Sequence, residues 1–217
     1  ASTARPDRII HDNEGTTVIK TQLIKQFGNP HGPLGRIAGH IMATRDTNVA
    51  RNAWIAELLD PAPTAHILEI GHGPGLAIEA IWPQLTTGHL YGLEVSELMS
   101  RTAQQRNEAG VDAGRLTFRL GDAQRLPDDL RDFDLIYGVN VSMFWNDPAA
   151  TIAALAARLR PAGRLTLTYM PPPTSDGTAE DMGGELADHF DAAGLADVRV
   201  DSFDYEPPAV AVTGLRR

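Results

Sequence analysis

Two spacings of apolar positions divide this chain. Up to about residue 60 they recur every three or four residues, the interval of a helix that buries one face. Val18, Ile19, Leu23, Ile24 and Phe27 predict a helix over Thr16–Phe27, broken by Gly28-Asn29-Pro30-His31-Gly32-Pro33. A second helix is predicted from about Leu34 to Thr44. A third starts near Asp46 or Thr47, turns Trp54, Ile55, Leu58 and Leu59 to a core, and stops at Pro61 and Pro63. Residues 1–15 are polar and are expected to be flexible.

From His66 onward, short apolar runs alternate with helical stretches. The runs predict strands at Ile67–Ile70, Leu90–Leu93, Leu116–Leu120, Phe133–Val139, Arg164–Tyr169, Asp197–Tyr205 and Val210–Leu215. Between them lie helices at Leu76–Trp82, closed by Pro83, and at Ser96–Ala109, closed by Gly110. The next covers Pro148–Leu159, with Asp147 as N-cap and Ile152, Leu155, Ala156 and Leu159 on one face. The last covers Ala179–Ala193 and ends at Gly194. Pro207-Pro208 and their neighbours separate the final two strands, which are expected to pair as an antiparallel hairpin. Strands alternating with helices imply a mostly parallel sheet covered on both faces, here an α/β domain over residues 64–217 behind a helical appendage at 16–63. Ligands of such sheets bind outside the carboxyl ends of the strands. Gly71–Gly75, Glu94, Asp122 and Asn140–Trp145 all follow a predicted strand.

Composition narrows the function classes. A formal net charge of −9 disfavours non-specific nucleic-acid binding, which needs many cations on phosphates. The absence of cysteine excludes disulfides, thiolate nucleophiles and cysteine-based metal sites. His11 and Asp12 adjoin, but no ligand cluster recurs at workable spacing, so no metal is expected. No apolar run is long enough for a membrane span, and the first fifteen or so residues lack an apolar signal core. A cytoplasmic protein is the expectation.

The segment Leu68-Glu69-Ile70-Gly71-His72-Gly73-Pro74-Gly75 carries most of the chemistry. It is a buried strand running into a turn whose alternating glycines let a ligand approach the backbone. A dinucleotide fingerprint requires glycine at the sixth position of that turn, where this chain has Leu76, and Glu69 would repel a pyrophosphate. Glu94 follows the second strand about twenty residues on, placed to accept both hydroxyls of a ribose. Asp122 follows the third strand and can accept from the exocyclic amine of an adenine. Three carboxylates directed at one cleft suit a nucleoside bearing a positive group.

Those motifs, with Tyr91-Gly92-Leu93-Glu94, Gly121-Asp122-Ala123, Phe133-Asp134-Leu135-Ile136-Tyr137 and Leu159-Arg160-Pro161-Ala162-Gly163-Arg164-Leu165, resemble the class I S-adenosylmethionine-dependent methyltransferases. The resemblance implies a Rossmann-like, three-layer α/β/α sandwich: a seven-stranded, mostly parallel sheet with an antiparallel last strand, under an N-terminal helical lid. It implies S-adenosylmethionine as cofactor. Gly71, His72, Gly73 and Gly75 would form the turn around its methionine end, whose amino group faces Glu69. Glu94 would take the ribose, Val95 and Met99 would be apolar walls, and Asp122 and Ala123 would flank the adenine; Asn140 is counted with them. Ser142, Phe144, Trp145 and His31 are expected on the substrate side. Ala162 stands where many members have a second glycine.

Members that methylate exocyclic amines of nucleic-acid bases carry Asn/Asp-Pro-Pro-aromatic after the fourth strand, where this chain has Asn140-Val141-Ser142. A small-molecule acceptor is therefore expected, with neither nucleic acid nor membrane as partner. Exposed apolar faces on the N-terminal helices leave room for a homodimer. His31 and His40 are candidates for a general base, and no catalytic residue is assigned. The alternatives are a nicotinamide-dependent oxidoreductase and a non-catalytic scaffold or sensor on the same fold.

Overall fold

A computed structural model of the chain describes residues 46–141, 147–171, 177–203 and 208–217. The helices expected over 16–27 and 34–44 lie outside these residues. The first described helix, α1 (Asp46–Leu59), is followed by β1 (His66–Ile70), α2 (Leu76–Ile81), β2 (His89–Glu94), α3 (Glu97–Arg106), α4 (Glu108–Asp112) and β3 (Leu116–Leu120). Then come β4 (Phe133–Val139), α5 (Pro148–Ala156), β5 (Leu159–Tyr169), α6 (Ala179–Ala192), β6 (Ala196–Phe203) and β7 (Ala209–Leu215). The strands form one sheet in the order β3-β2-β1-β4-β5-β7-β6. Neighbours from β3 to β5 pair parallel, and β7 runs antiparallel to both β5 and β6, which makes the expected hairpin.

Alternation along the strands sends apolar side chains to two cores. On one face Leu68, Ile70, Ile136 and Leu165 meet Ile152 and Leu155 of α5 and Leu186 and Phe190 of α6. On the other, Ile67, Leu90, Leu135 and Tyr137 meet Ile78 and Ile81 of α2 and Ile55 and Leu59 of α1. The apolar face read for α1 is thus the one that packs: Trp54 stacks on Phe203 at 4.9 Å, and the Arg164 guanidinium donates to the Leu59 carbonyl.

Two boundaries depart from the sequence pattern. The helix expected to run from Ser96 to Ala109 breaks at Asn107 (φ −110°, ψ 26°) and resumes as α4, passing through Gly110 instead of stopping there. Gly110 is a close-packing position: a Cβ on it would lie 2.6 Å from Leu116 Cδ1 and 2.9 Å from Trp82 Cδ2. β5 begins at Leu159 rather than at Arg164, so the helix expected over Pro148–Leu159 ends at Ala156, and Leu159 pairs with Phe133 in the sheet before the register shifts. The shift is made through Ala162, which adopts a left-handed φ of 61°. No helix among the described residues is long and apolar enough to cross a membrane.

Candidate active site

The sheet order reverses between β1 and β4, and the crevice at such a point is where doubly wound folds bind ligands. The turn after β1 lines it. Its glycines serve different ends. A Cβ on Gly71 would come within 2.8 Å of Val141 Cγ1, and one on Gly75 within 2.7 Å of Asn107 Nδ2 and 2.8 Å of the Ala103 Cβ. Those two are packed against protein. A Cβ on Gly73 would meet nothing within 4 Å, so this glycine opens outward while holding φ at 53°.

Glu94 stands beside it, buried to 7% exposure. Its Oε2 accepts from the Gly73 N–H at 3.0 Å and its Oε1 from the Ser96 N–H at 2.9 Å. These two bonds fix the carboxylate and leave each oxygen a second lone pair. Ser96 in turn caps α3, its Oγ accepting from the Met99 N–H. The end of β2, the glycine turn and the start of α3 are therefore joined through one carboxylate.

His72 is buried beneath the turn. Its Nδ1–H donates to the Gly73 carbonyl at 2.9 Å, and its ring meets Phe118 edge-on at 5.1 Å. Room for the imidazole comes from Gly92, where a Cβ would lie 2.8 Å from His72 Cδ2. Nε2 is buried with no hydrogen-bond partner among the described residues, and burial lowers the pKa of the ring below its ordinary 6.5.

Glu69 is the most perturbed acid. It shares the sheet face of Ile67 and Tyr137, is 1% exposed, and lies opposite Tyr137 in the β1–β4 register. Tyr137 Oη donates to Glu69 Oε2 at 2.6 Å. Burial pushes the Glu69 carboxyl up to about 8, with Glu94 adding repulsion and the tyrosine bond only partly offsetting both. The Glu69 carboxyl is therefore largely protonated at neutral pH.

A family described as a methyltransferase domain matches residues 67–163, from β1 to the turn in β5. The chain is 29% identical over 174 residues to the uncharacterized methyltransferase YdaC of Bacillus subtilis (strain 168), covering 79% of this chain and 92% of that protein. It is 34% identical over 112 residues to an O-methyltransferase of Pyrenophora dematioidea, covering 50% of this chain and 40% of that protein. The structure of magnesium protoporphyrin IX methyltransferase from Synechocystis PCC 6803 with bound SAH superposes with a TM-score of 0.63 at 17% identity, over 94% of this chain and 96% of that one. Residues 67–163 form a methyltransferase domain, and the chain has the fold of the class I methyltransferases.

The remaining site residues of this methyltransferase divide by element. Asp122 is half-buried after β3, and its Oδ1 accepts from the Gln124 N–H at 2.9 Å, opening a single helical turn over Ala123–Arg125. Ala123 and Met99 are buried, whereas Val95 is 39% exposed. Asn140 ends β4 at φ 54° with its side chain turned to the neighbouring strand, where Oδ1 accepts from the Met170 N–H. It ties the ends of β4 and β5 together. His31, Ser142, Phe144 and Trp145 lie outside the described residues. Among the described residues no group of three His, Cys, Asp or Glu could hold a metal ion. Sequence reasoning missed Arg106 and Asn107, which follow the glycine turn by more than thirty residues yet bond directly to it.

Proposed function

We propose that this methyltransferase uses S-adenosylmethionine, bound across Gly73 and Glu94, to methylate a small molecule. The observation that carries the reading is the open face of Gly73 next to a carboxylate already anchored by the same residue's N–H. A ligand can lie against the turn there without meeting a side chain, and Glu94 can accept both hydroxyls of a ribose through its second lone pairs. Asp122 Oδ2 is uncommitted among the described residues and would take the adenine amine, with Val95 and Ala123 at the ring faces. The cofactor, when bound, supplies an activated methyl group whose in-line displacement has a neutral leaving group.

The chain's own contribution is alignment, which in well-oriented systems supplies up to roughly 7–11 kcal/mol. Gly71, His72, Gly73 and Gly75 would hold the methionine end, with its amino group near Glu69. Met99 would back the nucleoside, and Asn140 would fix the strand ends at the reacting end. Ser142, Phe144, Trp145 and His31 would line the acceptor side. An O-methyltransferase among the relatives favours an oxygen acceptor.

The test is incubation with S-adenosylmethionine carrying a labelled methyl group, against a panel of phenols, carboxylic acids and amines, with DNA and RNA in parallel. Label in a small molecule supports the proposal. Label in nucleic acid overturns the acceptor class, and cofactor binding without transfer to any acceptor would favour the scaffold or sensor alternative.

A further inference from the structure

Three consecutive carbonyls of the glycine turn are each held by a side chain. His72 Nδ1 donates to the Gly73 oxygen, Arg106 Nε to the Pro74 oxygen at 3.1 Å, and Asn107 Nδ2 to the Gly75 oxygen at 3.1 Å. Three of the turn's N–H groups are also committed: Gly71 to the Leu93 carbonyl, Gly73 to Glu94 and Gly75 to the His72 carbonyl. Pro74 has none to offer. Glycines with left-handed φ on both sides of Pro74 leave the backbone between them few local restraints. The Gly75 oxygen also accepts the Glu79 N–H at 3.0 Å, the first bond of α2, and the side-chain donors add to that local hold at Gly75 and provide the bonds at Gly73 and Pro74.

Arg106 and Asn107 sit at the break between α3 and α4. Asn107 Nδ2 also bonds the Ala103 carbonyl at 3.0 Å, so one amide both ends α3 and grips the turn. Arg106 is steadied by Glu79 Oε2 at 3.0 Å from Nη1. α3 begins at the Ser96 cap, next to Glu94, and ends at the turn. It is a strut between the nucleoside end of the crevice and the end proposed for the methionine.

We propose that Arg106 and Asn107 are positioning residues for cofactor binding, holding the Pro74 and Gly75 carbonyls away from the open face of Gly73 before any ligand arrives. This rests on the proposed placement of S-adenosylmethionine over Gly73. Ordering the turn in advance removes a penalty that binding would otherwise carry. Arg106 contributes a charge-assisted bond, and its ion pair with the half-exposed Glu79 contributes little by itself.

The test is calorimetric titration of S-adenosylhomocysteine into the full chain and its variants, with thermal unfolding of each free protein. Arg106→Ala is expected to weaken binding about tenfold, the scale of one charge-assisted hydrogen bond, while the midpoint of this partly exposed residue's variant stays near wild type. Arg106→Lys, which keeps the charge without the Nε–H, is expected to show the same loss. Glu79→Gln, which removes the ion pair and keeps the Pro74 bond, is expected to bind as wild type. The proposal is overturned if Arg106→Ala binds normally, if lysine restores full affinity, or if Glu79→Gln loses as much as Arg106→Ala. Wild-type protein that is folded and binds no S-adenosylhomocysteine would overturn the cofactor placement itself, a result distinct from normal binding by the variants.

Discussion

Replacing Glu69 by glutamine tests the electrostatics of the candidate site at its most perturbed acid. In the native protein the carboxyl keeps its proton up to about 8, against 4.5 when exposed. Between those values the folded chain binds more protons than the unfolded chain, so stability falls as pH rises through the window. The slope from this one group approaches about 1.4 kcal/mol per pH unit, and the accumulated loss above the upper value is at most about 5 kcal/mol. Burial is the main cause, and Tyr137 keeps its own proton because burial and Glu69 both raise its pKa. Glu69→Gln removes the titration while its oxygen can still accept from Tyr137. Urea unfolding of both proteins between about pH 5 and pH 9 is the assay. The stability difference is expected to move steadily in favour of the glutamine variant up to about pH 8 and then level off. A difference that stays constant across the range would show that Glu69 is not held neutral, and the charge assignment would fail with it.

The other expectations concern the same turn and its surroundings. If the cofactor's amino group settles at Glu69, binding ionises the carboxyl; calorimetry near pH 7 in buffers of different ionisation heat is expected to show release of up to about one proton, and buffer-independent heats would oppose it. Gly73→Val is expected to abolish binding of S-adenosylhomocysteine while destabilising the fold by only about 1–2 kcal/mol through its left-handed φ; a folded variant that binds normally would refute the cofactor placement. Ala162→Gly relieves a left-handed alanine and is expected to stabilise by about 0.5–1 kcal/mol, after allowing for glycine's extra chain entropy, as read by urea midpoint. In the Glu69→Gln background, acidification below about 6.5 is expected to lower the thermal midpoint, because burial depresses the pKa of His72 and His89 and the unfolded chain takes up the protons first. A midpoint that rises on acidification would contradict that sign.

The sheet was legible because buried parallel strands write themselves as apolar runs bounded by polar turns. Ile67–Ile70 and Phe133–Val139 could be located from composition alone, and the hairpin at the end followed from two runs with a short proline-bearing link. Register was not legible. Nothing local to Glu69 announces that Tyr137, on another strand, will stand opposite and donate to it. The same holds for His72, whose pocket is assembled from Gly92 on β2 and Phe118 on β3. Gly110 was misleading, since a glycine that ends a helix and one that lets a helix pack closely look alike in sequence. Asn107 was hidden for the complementary reason: it interrupts a good helical pattern because its amide bonds the Gly75 carbonyl. The three glycines after β1 pointed to a ligand crevice, but only their surroundings distinguish Gly73, which is open, from Gly71 and Gly75, which are packed.

The most direct test of the cofactor assignment is a crystal structure of the chain with S-adenosylhomocysteine at saturating concentration. The expected result places the ribose hydroxyls within hydrogen-bonding distance of Glu94, the adenine between Val95 and Asp122–Ala123, and the amino-acid portion over the open face of Gly73. Ligand bound elsewhere, or a crevice that excludes it because Gly73 and Glu94 close on each other, would contradict the account.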